Sequence, residues 1–370
     1  MFEGIKDANN EDRLGGIFKM DINEILKEAF LKGASDIHIT AGSPPVMRVH
    51  GVLTRMSDLS LAPEITERFV REITNESQYK RLEEYGEVDF SYSIRGFSRF
   101  RVNAYKQRGS FAIAFRTISQ DIPKFETLGL PPVLKDFTKL NKGLVLVTGP
   151  TGSGKSTTLA SLIDIINTER NLHIITLEDP IEYLHRHKKS IVNQREIGND
   201  TQSFAAALRA ALREDPDVIL VGEMRDLETI SIALTAAETG HLVFSTLHTV
   251  GAAKTIDRII DVFPPYQQQQ IRVQLSTVLQ AVVSQQLLTR RDGRGRVVAV
   301  EVMIANSAIR NLIREGKTYQ IQSVIQTNTK MGMITMEQSL VDLYKRGLIT
   351  REDAVMYASD QELINKLLIF

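Results

Sequence analysis

Cysteine and tryptophan are both missing from this chain of 370 residues. The first absence excludes disulfides, thiolate zinc sites, iron–sulfur clusters and thiol catalysis together. Seven histidines leave a His/carboxylate metal site open. A net charge is missing too, because 45 basic residues face 45 acidic ones. That disfavours a polyanion binder acting through bulk charge, although a local basic patch remains compatible with it. Long apolar runs are also absent. Stretches such as Gly143–Val147 and Asp217–Gly222 are strand-length, whereas a membrane span needs about 20 residues. The polar N-terminus carries no apolar segment of the secretory type. These absences together point to a soluble cytoplasmic protein. A hydrophobic fraction of 42% supports a packed core, and the length suits two or three domains.

Residues 1–19 are polar and are expected to form a loose extension. An amphipathic helix should start near Asp21, carry Ile22, Ile25, Leu26, Ala29 and Phe30 on one face, and stop at Lys32-Gly33. Alternating runs at 36–40, 46–49, 88–94, 97–106 and 111–117, with a helical stretch at 63–84, make 20–118 an α+β domain. Three prolines and a glycine mark a linker over 119–132. Continuous apolar strands follow at 144–148, 173–177, 217–221 and 242–246, spaced by helix-length segments. They predict a parallel sheet covered on both faces over 133–304. Residues 305–370 read as helical. The fold class is therefore α/β, with a smaller N-terminal α+β domain and a helical C-terminal region.

The strongest chemical signal is Gly149-Pro150-Thr151-Gly152-Ser153-Gly154-Lys155-Ser156, lying between an apolar strand and a helix that opens near Thr157. Glycines at these places let backbone amides turn around phosphate oxygens, and the helix N-terminus adds partial positive charge. Lys155 is expected on the β/γ-phosphates and Ser156 on Mg²⁺, with ATP as the nucleotide. The strand after Asp217 ends in Gly222, so Glu223 is the first acid there, the candidate base for an attacking water and, with Ser156 and Glu178, a candidate metal ligand. Glu178 and Asp179 close the preceding strand and are candidates to support the metal; the bland alternative is a simple Asp-Pro turn. Strand ends of a parallel sheet share one crevice, which brings Ser245, Thr246 and His248 to the same edge. His241 begins that strand, and spacing alone leaves its role open.

Two basic features remain. A hairpin centred between Arg108 and Gly109 sets Arg101 directly opposite Arg116. Like charges in that position destabilise a sheet unless they are solvated or share an anion. Arg310, Arg314 and Lys317 fall on one helical stripe, a pattern that most often marks a solvated face.

GPTGSGKS (149–156), TLEDPIEY (176–183), ILVGEMRD (219–226) and TGHLVFSTLHT (239–249) together resemble the secretion ATPase superfamily, which drives type II secretion and type IV pili. ASDIHIT (34–40) and FRVNAYKQRG (100–109) resemble its N-terminal domain. AIRNLIREGK (308–317) resembles a signature of the pilus retraction ATPases, the PilT family. The resemblance spans roughly residues 20–350. It implies a RecA-like P-loop domain with a PAS-like N-terminal domain, working as a homohexamer with ATP and Mg²⁺. Glu223 becomes the catalytic base, with Glu178 and Asp179 as acidic-box residues and His241 and His248 as histidine-box residues. Arg101 and Arg116 match arginines that reach the nucleotide, and Arg258 in Thr255-Ile-Asp-Arg258 matches a further nucleotide contact. The implied partner is an inner-membrane pilus platform protein, and through it the pilin filament. The implied location is the cytoplasmic face of that membrane, bound peripherally.

Assembly and secretion members typically carry a four-cysteine zinc module, so a chain without cysteine favours retraction. A pilus-assembly or type II secretion motor is the nearest alternative. A ring nucleic-acid motor would need a basic, often aromatic-bearing channel, and no nucleic acid is expected here. A non-catalytic nucleotide switch is disfavoured by Glu223.

Overall fold

The computed structural model describes residues 21–118 and 121–369, so the extension expected over 1–19 lies outside the described residues. The chain divides into two compact units at the Gln120–Asp121 boundary.

In the first unit Asp21 caps the helix Ile22–Leu31 by accepting from the Asn23 amide at 2.8 Å. The helix closes at Lys32 and Gly33, the latter at φ +73°. The helical stretch at 63–84 is two helices, Pro63–Ile73 and Glu76–Tyr85, because Asn75 and Gln78 form a capping box that starts the second afresh. Six antiparallel strands make one sheet: β1 (Asp36–Thr40), β2 (Val46–Val49), β3 (Val52–Arg55), β4 (Glu87–Ile94), β5 (Ser98–Gln107) and β6 (Ser110–Thr117), in the order β3-β2-β1-β6-β5-β4. β3 is an addition to the expected strands; its four residues are all exposed, so it carries no alternation to read. Ile37, Ile39, Phe100, Val102, Ile113 and Phe115 point into the core with Leu26, Phe69 and Val70. The alternate residues leave the other face polar, as an antiparallel sheet with one solvated side allows.

The second unit is built on seven strands: β7 (Gly143–Thr148), β8 (His173–Glu178), β9 (Ile191–Glu196), β10 (Val218–Val221), β11 (Leu242–Leu247), β12 (Leu279–Thr289) and β13 (Arg296–Ile304). Their order is β13-β12-β7-β11-β10-β8-β9. Every neighbouring pair is parallel except β12 with β13. The four expected strands form its centre. Leu144, Leu146, Ile175, Leu177, Ile219 and Val243 pack on one face, and Val145, Val147, Ile174, Leu220 and Phe244 on the other. Burial on both faces is why these strands read as unbroken apolar runs. The segment read as a linker is packed from Phe125 onward, since Phe125 and Leu130 join Val145 and Leu162 in one buried cluster. Beyond β13 the described residues form short helices. Met336, Leu340, Ala354 and Ile364 from these helices pack on Leu288 and Ala299 of the β12–β13 hairpin.

Candidate nucleotide-binding and hydrolysis site

β7 ends at Thr148, and the loop that follows enters the helix Lys155–Glu169 through Gly154 at φ +88°. Glycine is required at 149 for two reasons. Its φ is +139°, and a Cβ there would lie 2.2 Å from the Gln285 carbonyl oxygen. The first amides of the helix have no intrahelical acceptor and present partial positive charge. Lys155 Nζ is buried against the loop and donates to the carbonyls of Gly149 (2.9 Å) and Pro150 (3.0 Å). Burial lowers its pKa, and the charges of Glu182 and Glu223 act in the opposite sense. Ser153 Oγ is buried without a hydrogen-bond partner among the described residues. An ammonium resting on carbonyls, unpaired helix amides and an orphaned hydroxyl in one loop fit an anionic phosphate chain. Thr157 Oγ1 lies 2.9 Å from the Tyr183 hydroxyl, which ties the helix start to the acidic segment.

Glu178 ends β8. Its Oε1 accepts from Thr176 Oγ1 (2.6 Å) and Gln194 Nε2 (3.1 Å). Burial pushes its carboxyl up, and these two donors pull back part of the rise. Asp179 is exposed and lines a crevice of about 330 Å³ with Glu223 and Arg225.

Gly222 follows β10 at a point where a Cβ would lie 3.0 Å from the Leu177 carbonyl oxygen. This close approach to β8 explains why the first acid is one residue later. The turn is held by β11: Thr246 Oγ1 donates to the Gly222 carbonyl (2.6 Å), and Ser245 Oγ to the Val221 carbonyl (2.7 Å). Glu223 Oε2 then pairs with Arg225 Nη2 at 2.8 Å and lies 3.4 Å from His248 Nε2. Strand order accounts for the approach of His248, because β11 lies between the phosphate-loop strand and β10.

His241 is not brought to this edge. It stands at the other end of β11, about 20 Å away by strand rise, and its Nδ1 sits 2.9 Å from the Ala236 carbonyl at the end of the helix Leu227–Glu238. Arg258 is exposed on the helix Ala252–Asp261 and makes no hydrogen bond or ion pair among the described residues. Arg310 departs from the solvated stripe. Its guanidinium donates to the carbonyls of Ser276 (2.7 Å) and Thr277 (2.8 Å), closing the helix Pro265–Val278, and burial lowers its pKa.

In the first unit the β5–β6 turn has both Arg108 and Gly109 at positive φ (47° and 78°), the geometry of a two-residue hairpin. It pairs Arg101 with Arg116. The register extends this into one row across the solvated face: Arg48, Asp36, Arg116, Arg101, Ser91. Arg116 Nε is 3.0 Å from Asp36 Oδ1, and Arg48 Nε is 3.9 Å from Asp36 Oδ2. Burial raises the Asp36 carboxyl, but the Ser35 hydroxyl and the Arg116 guanidinium outweigh it, and the net shift is downward. Arg101 is exposed and has no ion pair among the described residues.

Several residues escape the sequence reading. Arg225 looks like any exposed turn residue until its pairing with Glu223 is seen. Glu182 lies inside the acidic segment, and its charge reaches Lys155. Gln194 and Gln285 sit on β9 and β12, strands with no continuous apolar run to announce them.

Residues 11–355 match the family described as Type II/IV secretion system protein. Over 335 residues the chain is 52% identical to the type IV pilus retraction ATPase PilT of Pseudomonas aeruginosa, covering 90% of this chain and 97% of that one. It is 50% identical over 341 residues to a twitching motility protein of Neisseria gonorrhoeae, with 92% and 91% covered. A crystal structure of the pilus retraction motor PilT with bound ADP superposes with a TM-score of 0.87 at 55% identity, covering 94% of this chain and all of that one.

Proposed function

The chain belongs to the Type II/IV secretion system protein family, and we propose that it hydrolyses ATP to power the retraction of type IV pili. The observation that carries this reading is an acid at the end of β10, Glu223, set beside a complete phosphate loop in a chain 52% identical to a retraction ATPase across both units.

The helix amides at 155–157 and Lys155 bind the β- and γ-phosphates, and to do so Lys155 Nζ exchanges the Gly149 and Pro150 carbonyls for phosphate oxygens. The Ser156 hydroxyl and the Glu178 carboxylate supply hard oxygen ligands of the kind Mg²⁺ takes. When bound, that ion would neutralise charge developing on the phosphate oxygens. Glu223 accepts a proton from the attacking water; Oε2 first releases Arg225, and the Ser245 and Thr246 bonds keep its turn in place. His248 orients the carboxylate from the adjacent strand. Arg101 and Arg116, which the family resemblance assigns to the nucleotide, would neutralise triphosphate charge. Loss of the γ-phosphate removes the charge these arginines answer, which gives hydrolysis a mechanical consequence.

The reading extends to a homohexamer acting on an inner-membrane platform protein, held peripherally at the cytoplasmic face. No described helix is long and apolar enough to cross the membrane. Deletion of the gene tests the direction of work. Retraction predicts abundant surface pili with no twitching, whereas a cell without pili would assign the chain to assembly instead.

A further inference from the structure

We propose that Gln285 is a positioning residue for the phosphate loop, and that its carboxamide sets nucleotide affinity without touching nucleotide. The inference deepens the ATPase reading and rests on it. β12 runs parallel to β7, and their last pair is Ser284 with Thr148. At that point β7 ends and becomes the loop, while β12 continues, so Gln285 is its first residue alongside the loop.

From there one residue meets the loop at several places. Its backbone carbonyl abuts Gly149 and leaves no room for a Cβ. Its side-chain Nε2 donates to the Ser153 carbonyl at 2.7 Å. Its Oε1 accepts from Thr158 Oγ1, in the first turn of the helix, at 3.1 Å. The same Nε2 would lie 3.2 Å from a Cβ at Gly154. Gln285 is 1% exposed and Thr158 3% exposed, so neither group can exchange its partner for bulk water.

A buried carboxamide satisfied at both ends fixes its own orientation. Holding the Ser153 carbonyl against β12 fixes which way the adjoining peptides face, and with them the amides that must turn toward phosphate. Because this orientation serves the bound substrate and the transition state alike, its loss is a loss of uniform binding. That raises KM and leaves kcat largely unchanged.

The test uses the full-length chain and two volume-keeping variants: Gln285→Met, which removes both hydrogen-bonding ends of the carboxamide, and Thr158→Val, which removes only the donor to its Oε1. Dissociation constants for Mg·ADP come from calorimetry, and KM and kcat for ATP from phosphate release. Gln285→Met is expected to raise both the dissociation constant and KM by about tenfold or more, the scale of a lost buried hydrogen bond, with kcat within about threefold of wild type. Thr158→Val is expected to raise them several-fold and to add little in the Gln285→Met background, since both act through one carboxamide. Should Gln285→Met fail to fold, Thr158→Val carries the test alone. Unchanged affinity and KM in a folded variant, or a fall in kcat at constant KM, overturns the proposal. A wild-type chain that binds no nucleotide overturns the ATPase reading itself and this inference with it.

Discussion

Glu223→Gln is expected to lower ATP turnover by about 10²- to 10⁴-fold, the range general-base catalysis supplies, while ATP still binds. The substitution is isosteric and leaves the supports of the turn alone: the Thr246 hydroxyl on Gly222 and the Ser245 hydroxyl on Val221 are untouched. What disappears is the proton acceptor and one negative charge near Lys155, whose ammonium that charge helps to hold in the protonated form. Binding of a triphosphate therefore has no reason to weaken, because the group removed is itself an anion. Phosphate release together with nucleotide titration on the same preparation reads both quantities. Turnover at the wild-type rate would transfer the base role to another acid, with Glu182 the first to examine.

The second large effect is expected at the row of arginines. Arg101→Ala should reduce turnover by about 10²-fold or more, within reach of the 10³- to 10⁵-fold effects known for arginines that stabilise transferring phosphates. Stability should change little, because Arg101 is exposed and unpaired among the described residues. Arg116→Ala differs in kind. It removes one guanidinium and also frees Asp36, which Arg116 now holds at 3.0 Å, to draw on Arg48 or Arg101. The single variants should therefore be non-additive, the double variant falling by less than the product of the two. The lost surface ion pair itself is worth about 0–1 kcal/mol, so a melting curve separates this from unfolding. Wild-type kinetics in the double variant would leave the row as solvated surface.

Much of this arrangement is legible in the sequence alone. The phosphate loop announces itself because glycine positions, lysine and serine are set by backbone geometry and charge at fixed spacing. The Arg101–Arg116 pairing could be derived because a two-residue turn fixes the register of everything beyond it. The four central strands were visible because burial on both faces leaves no polar residue to interrupt them. β9 and β12 were not, since Asn193, Gln194 and Arg195 on one, and Ser284, Gln285 and Gln286 on the other, break the apolar run. Those interruptions are where the structure places supports for Glu178 and for the loop. Arg310 misled for the reverse reason. A basic residue at stripe spacing reads as solvated, and only the three-dimensional approach of Ser276 and Thr277 shows that it closes another helix. His241 and His248 share one sequence motif, but a strand's length separates them.

The most direct test of the account is a structure of the assembled full-length protein with Mg²⁺ and a non-hydrolysable ATP analogue. In it Lys155 Nζ is expected to have moved off the Gly149 and Pro150 carbonyls onto phosphate, Glu223 to be released from Arg225 and to face the γ-phosphate, and the guanidinium groups of Arg101 and Arg116 to lie within hydrogen-bonding distance of phosphate oxygens in at least one subunit. An analogue seated in the loop while both arginines face solvent in every subunit would contradict this, because the arginines would then have no phosphate charge to answer.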